Sequence, residues 1–87
     1  MRYDPLQTFL SNTPRHVKKV VLGFRQIELL IGGELPRSAS EYREWWANQE
    51  KIEERPQAKA WTLAGFEVEE VAQQDRWVHF VRTPKAL

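Results

Sequence analysis

Two histidines, a pair of glutamates two residues apart and a Gly-Gly dipeptide are the groups from which this 87-residue chain would have to build chemistry. Nucleophilic catalysis needs a nucleophile held by a base. The chain has no cysteine, and neither His16 nor His79 lies near a serine motif. Metal binding needs clustered histidines, cysteines or carboxylates. Neither histidine has such a partner at helical spacing, and Glu53-Glu54 reads as a solvated pair. Glu67 and Glu69 would project from one face of a strand with nothing apolar beside them to raise a carboxyl into the range of a general acid. Gly32-Gly33 lacks the lysine and hydroxyl residue of a phosphate loop, so it reads as a helix stop. The expectation is a non-catalytic domain without a metal or a cofactor.

Recognition is better supplied. The segment Leu35 to Asn48 opens like a helix and then sets Trp45 beside Trp46. Successive helical residues point about 100° apart, so one stripe cannot hide both rings. In a nucleic-acid-binding arrangement this helix would take the recognition position, where Ser40, Arg43, Glu44 and Asn48 reach base edges, arginine suiting guanine and asparagine adenine. Phosphates of double-stranded DNA would be met by Arg15, Lys18, Lys19, Arg37, Arg76 and Arg82. Against this stand Glu41, Glu44, Glu50, Glu53 and Glu54, together with a sequence pI near 8.1, below the value of about 9 expected of a strongly basic binding domain. The alternative is a protein-interaction or inhibitory module. It would dock through Tyr42, Trp45 or Trp46 and Trp77, with Arg37 and Arg43, because tryptophan, tyrosine and arginine dominate binding hot spots. A homodimer is the commonest closed assembly and is a further expectation.

The elements that position these residues follow from local signals. Asp4 caps a first helix with Pro5 in its first turn, Leu6, Phe9 and Leu10 share a face, and residues 11–14 end it. Val17 to Leu22 is β-branched and reads as a strand closed by Gly23. Phe24, Ile27 and Ile31 recur at helical spacing before Gly32-Gly33. Ser38 and Glu41 form a capping box for a helix running to Asn48 or Gln49. Gln49 to Arg55 is a charged loop or frayed end. Pro56 starts another helix, which Gly65 stops. Phe66 to Val71 and Trp77 to Arg82 form a hairpin around Gln73-Gln74-Asp75, with Glu67 and Glu69 outward and Phe66 and Val68 inward.

This order predicts an α+β fold: a compact helical core with a small antiparallel sheet ending in a C-terminal β-hairpin, winged-helix-like apart from one extra helix. The length fits one domain over residues 1–87. Four Trp, four Phe and two Tyr supply the core that small chains otherwise reinforce with disulfides or metals. No apolar run approaches the roughly 20 residues needed to cross a bilayer, and no secretory signal opens the chain, so a cytoplasmic location is expected. The net charge of +1 is unevenly spread: Arg2, Arg15, Lys18, Lys19 and Arg25 against Asp4 make residues 1–27 +4, while residues 28–54 sum to −4 and residues 55–87 to +1. The basic end either faces nucleic acid or attracts the acidic middle within the fold. Its cations are expected beside the tip of the hairpin, on a common exterior.

The spaced elements Tyr3-Asp4-Pro5-Leu6, Phe24, Ile27-Glu28, Gly32, Leu35-Pro36, Ser38-Ala39, Tyr42, Trp45-Trp46-Ala47-Asn48, Gln57-Ala58, Trp61 and Gly65 resemble a family of small bacterial domains of unknown function. The likeness covers nearly the whole chain, and Trp-Trp-x-Asn followed by Gln-Ala-x-x-Trp is its most specific part. It implies a compact domain and no particular activity. Lys51 to Arg55 departs from the pattern by being longer and more acidic.

Overall fold

Helix α1 (Asp4–Ser11) carries proline in its first turn and buries Leu6 and Leu10, leaving Phe9 at its margin, 40% exposed. A computed structural model describes residues 2–48 and 55–84. The Gln49 to Arg55 loop, except Arg55 itself, and the acids Glu50, Glu53 and Glu54 therefore lie outside the described residues. Tyr3 occupies the cap position of α1 and no side chain caps it, which corrects the expectation for Asp4.

Strand β1 (Lys19–Gly23) leads directly into α2 (Phe24–Ile31). The helix ends where Gly32 adopts φ 74°, a left-handed turn that only glycine takes without cost. Later, α4 (Pro56–Leu63) begins on its proline and Gly65, at φ 84°, redirects the chain into β2 (Phe66–Ala72). Strand β3 (Trp77–Arg82) returns between the other two, giving an antiparallel sheet of order β1-β3-β2. The result is a mixed α+β fold, with Val78 and Phe80 in the central strand fully buried.

A bulge between Val68 and Glu70 resets the β2 register, so that Val68 opposes Phe80 while Val71 opposes Val78. Strict alternation would put Glu70 opposite Val78, on the buried face. The extra residue removes that carboxylate from the core. Glu67 and Glu69 keep to the outer side as alternation expects, and the bulge adds Glu70 to them.

The predicted helix from Ser38 to Asn48 does not form. Helix α3 (Arg37–Glu41) stops after five residues, Tyr42 is extended at φ −122° and ψ 118°, and a 3-10 turn covers Arg43–Trp46. The capping box is also absent: Pro36 is the cap residue, and Glu41 instead receives the Arg37 guanidinium at 3.0 and 3.1 Å. The tryptophans explain the break. Trp46 is 1% exposed, stacked between Phe24 at 5.1 Å and Trp61 at 5.8 Å, and its indole N–H donates to the Ala39 carbonyl at 2.8 Å. Trp45 sits edge-on to Trp46 at 4.7 Å and to Tyr3 at 6.0 Å. The two indoles are neighbours within the 3-10 turn, and the extended Tyr42 sets that turn so that Trp46 enters the core while Trp45 lies half-buried at its edge.

Asn48 follows this turn and closes it. Its Oδ1 accepts from the Trp61 indole at 3.1 Å and from the Val68 N–H at 2.9 Å, and its Nδ2 donates to the Val68 carbonyl at 3.0 Å. The side-chain amide thus pairs with β2 as a neighbouring strand would. Asn48→Ala leaves three groups without these partners, each loss being worth on the order of 1 kcal/mol. A stability loss of about 2–3 kcal/mol in urea unfolding is expected, and Asn48→Asp, which keeps the acceptor, is expected to lose less.

Candidate nucleic-acid interface

Three of the expected phosphate-contacting residues come together at one end of the sheet. The end of α1, the segment 12–18, the end of α4 and the exit from β3 enclose an open groove of about 820 Å³, lined by Ser11, Thr13, Arg15, Lys18, Leu63, Ala64, Gly65, Arg82, Thr83 and Pro84. Among the described residues its lining holds three cations, three hydroxyls and no carboxylate. This is the open end of the hairpin, opposite the 73–76 turn. The expectation that the leading cations lie beside the hairpin tip is therefore corrected, because β1 pairs antiparallel to β3 and its first residues meet the last residues of the hairpin.

Arg82 forms the floor. Its Nε donates to the Val17 carbonyl and its Nη2 to the carbonyls of Thr13 and Pro14, each at 2.9 Å, while its guanidinium lies 4.6 Å from the centre of the Phe66 ring. Three of its five N–H bonds are committed to the chain. The side chain fixes the segment that presents Arg15 and Lys18 and contributes positive charge from below. Arg15 and Lys18 are exposed, and neither has an ion-pair partner among the described residues. Lys59 extends the stripe, being exposed on α4 one turn before Leu63. Sequence reading missed it, although i,i+4 spacing from a helix terminus was available as a signal.

The other expected contacts lie elsewhere and are engaged. Lys19 is on the outer sheet face, 3.0 Å from Glu69. Arg37 is bound to Glu41. Arg76 donates to the Ser40 hydroxyl at 3.1 Å, approaches Glu28 at 3.8 Å and stacks 5.2 Å from the Phe24 ring centre, contacts that hold its unusual φ of 63°. Glu28, only 12% exposed, also accepts from the Leu35 N–H at 2.9 Å and faces Arg25 at 4.0 Å. Asn48 is bound to β2, so the four expected base-reading residues do not share a helix face. Arg43 and Glu44 are exposed in the 3-10 turn, where the Glu44 carbonyl receives Arg55 at 3.1 Å.

The aromatic residues expected to meet a partner are divided too. Trp46 is core, Trp45 half-buried, Tyr42 56% exposed and Trp77 stacked on His79 at 4.5 Å.

Fold and groove together define a small α+β domain with one sheet face covered by helices and a cationic groove at the sheet end. The chain belongs to the family described as a domain of unknown function, DUF7662, whose model matches residues 3–84, from the residue before α1 to just beyond β3. No curated protein and no solved structure matches it. No helix among the described residues is long and apolar enough to cross a membrane.

Arg82→Ala removes the hydrogen bonds that hold residues 13–17. Faster amide hydrogen exchange at Val17, whose N–H bonds to the Pro14 carbonyl at 2.9 Å, and a stability loss of about 1–3 kcal/mol are expected. Arg82→Lys restores the charge without the forked geometry and is expected to restore little of the protection.

Proposed function

We propose that this domain is a non-catalytic nucleic-acid-binding module that holds the phosphodiester backbone in the groove at the end of its sheet. The observation that carries this reading is the concentration of Arg15, Lys18 and Arg82 in a lining that, among the described residues, holds no carboxylate, with Lys59 one helical turn before Leu63. Phosphate contacts of this kind supply affinity and register without reading sequence. The element order and the sheet order β1-β3-β2 support a winged-helix-like reading, in which α4, directly ahead of the hairpin, takes the position first assigned to residues 38–48. Its exposed Lys59 and Thr62 are then the side chains nearest the nucleic acid, in place of Ser40, Arg43 and Asn48.

Titration with mixed-sequence duplex DNA at several salt concentrations tests this. Three phosphate contacts predict a slope of log K against log salt of about −2.7, a loss of roughly 40-fold in affinity between 50 and 200 mM salt. Lys18→Glu is expected to weaken binding and flatten that slope, whereas Lys19→Glu, on the other face and already paired with Glu69, is expected to change it little. Absence of binding at low salt, or equal effects of the two substitutions, rejects the groove as the site.

A further inference from the structure

The groove at the end of the sheet has two sides of different chemistry. Strand β3 is central, so its exit at Arg82 is flanked by the entry to β1 on one side and the entry to β2 on the other. On the β1 side the Arg82 side chain holds the carbonyls of Thr13, Pro14 and Val17, and its backbone N–H donates to the Lys18 carbonyl at 3.0 Å. One residue later the Thr83 N–H donates to the Gly65 carbonyl at 2.9 Å, on the β2 side. Arg15 and Lys18 therefore belong to the β1 side and Leu63, Ala64 and Gly65 to the β2 side, and the two strand entries lie two spacings, about 10 Å, apart.

Leu63 is the last residue of α4 and is 53% exposed. Pro84 continues the apolar lining beyond Thr83. Phosphate contacts make no use of this side, and covering an exposed leucine with a ligand is favourable. A cationic side facing an apolar side matches a ligand with anions along one edge and apolar faces along the other. A nucleic-acid strand has that form only when its bases are unpaired. In a duplex the base faces stack on one another and only base edges reach the grooves, so Leu63 would meet sugar and water. In a single strand the bases can be splayed from the backbone and laid against a protein surface.

We infer, on the reading of the groove as a phosphate site, that it takes single-stranded nucleic acid in preference to duplex, with the backbone on Arg15, Lys18 and Arg82 and a base face on Leu63. Neither Arg15 nor Lys18 has an ion-pair partner among the described residues, so the backbone displaces no carboxylate from them. The Arg82 Nη1 takes no part in the three bonds to carbonyls, and its two N–H groups add to the same row. The described lining holds no aromatic ring, so the contact accepts any base and its gain is smaller than that of stacking on an aromatic side chain. A lipid surface also combines phosphate with apolar matter. It suits this groove less, because Leu63 is the single large apolar side chain of the described lining and membrane attachment scales with the apolar area buried.

The test compares three ligands of about fifteen nucleotides by fluorescence anisotropy: a thymidine strand, which does not pair with itself, an abasic strand, which keeps every phosphate and has no bases, and a mixed-sequence duplex. At about 50 mM salt the thymidine strand is expected to bind about fivefold more tightly than either of the others. Its slope of log K against log salt is expected to be about −2.1, three contacts at about −0.7 each. Leu63→Ser, at an exposed position, is expected to bring the thymidine and abasic strands to within about twofold of each other, and Lys18→Glu to weaken all three ligands. Equal affinity for the thymidine and abasic strands, tighter binding of the duplex, or an unchanged ratio in the Leu63→Ser protein overturns the single-strand preference and leaves the phosphate groove standing. Failure of all three ligands to bind at low salt overturns both. Binding of thymidine 5′-monophosphate, or of phosphatidylglycerol vesicles, as tightly as of the thymidine strand also overturns the preference, because a free nucleotide or a lipid headgroup then fills the groove.

Discussion

Burial of Trp46 between two other rings is the constraint on which the rest of the molecule depends. Its nearly parallel neighbours, Phe24 on α2 and Trp61 on α4, come from elements that do not otherwise follow one another in the chain, and Phe80 of the central strand continues the contact from Trp61 at 5.6 Å. Each large ring removes about 150–250 Å² from water, so this row of rings supplies what a disulfide or a metal gives to other small domains. The indole N–H must still be satisfied in the core. The Ala39 carbonyl is available only because α3 ends early, and the same carbonyl receives Gln73 from the hairpin turn at 3.0 Å. One backbone oxygen therefore ties the aromatic row to the tip of the sheet.

Much of the secondary structure was legible because the signals were local. Proline at the start of α4, glycines at residues 32 and 65 and the boundaries of β3 depend on backbone geometry that a few residues determine. The break at Tyr42 was not legible. Ser38 and Glu41 satisfy the local pattern of a helix start, but the burial of Trp46 between Phe24 and Trp61 overrides it. Adjacent tryptophans were themselves the warning, since no single helical stripe accommodates them. The bulge at Glu69 escaped for a related reason: Phe66 to Val71 reads as alternating until the three consecutive residues Val68, Glu69 and Glu70 must be placed against Phe80 and His79.

The candidate site was legible in part. Arg15, Lys18 and Arg82 are far apart in sequence and were grouped by charge alone, and antiparallel pairing of β1 with β3 brings them together. Charge could not show which cations were already committed. Among the described residues, Lys19, Arg37 and Arg76 differ from Lys18 and Arg15 in having a carboxylate within 4.0 Å, a property of the sheet register and of the placement of helices α2 and α3. The two explanations for the uneven charge therefore both apply to particular residues. Arg25 from the basic end meets Glu28 from the acidic middle, while Arg15 and Lys18 remain at the groove.

Arg82 shows why a cationic groove can be stable in a domain of this size. Gathering like charges raises the energy of the compact state, and exposed lysines gain little from the fold in return. A guanidinium whose donors are spent on three backbone carbonyls, and whose face lies on Phe66, contributes to stability through those contacts and lends its charge to the groove at the same time. The chain leaves Lys18 immediately beyond this clamp and reaches Val21 three residues later. Within that distance the outward-facing groups change from an exposed ammonium to the unpaired backbone of an apolar edge. Alternation along one short strand thus separates an exposed ammonium that lines the groove from backbone groups that face away from β3.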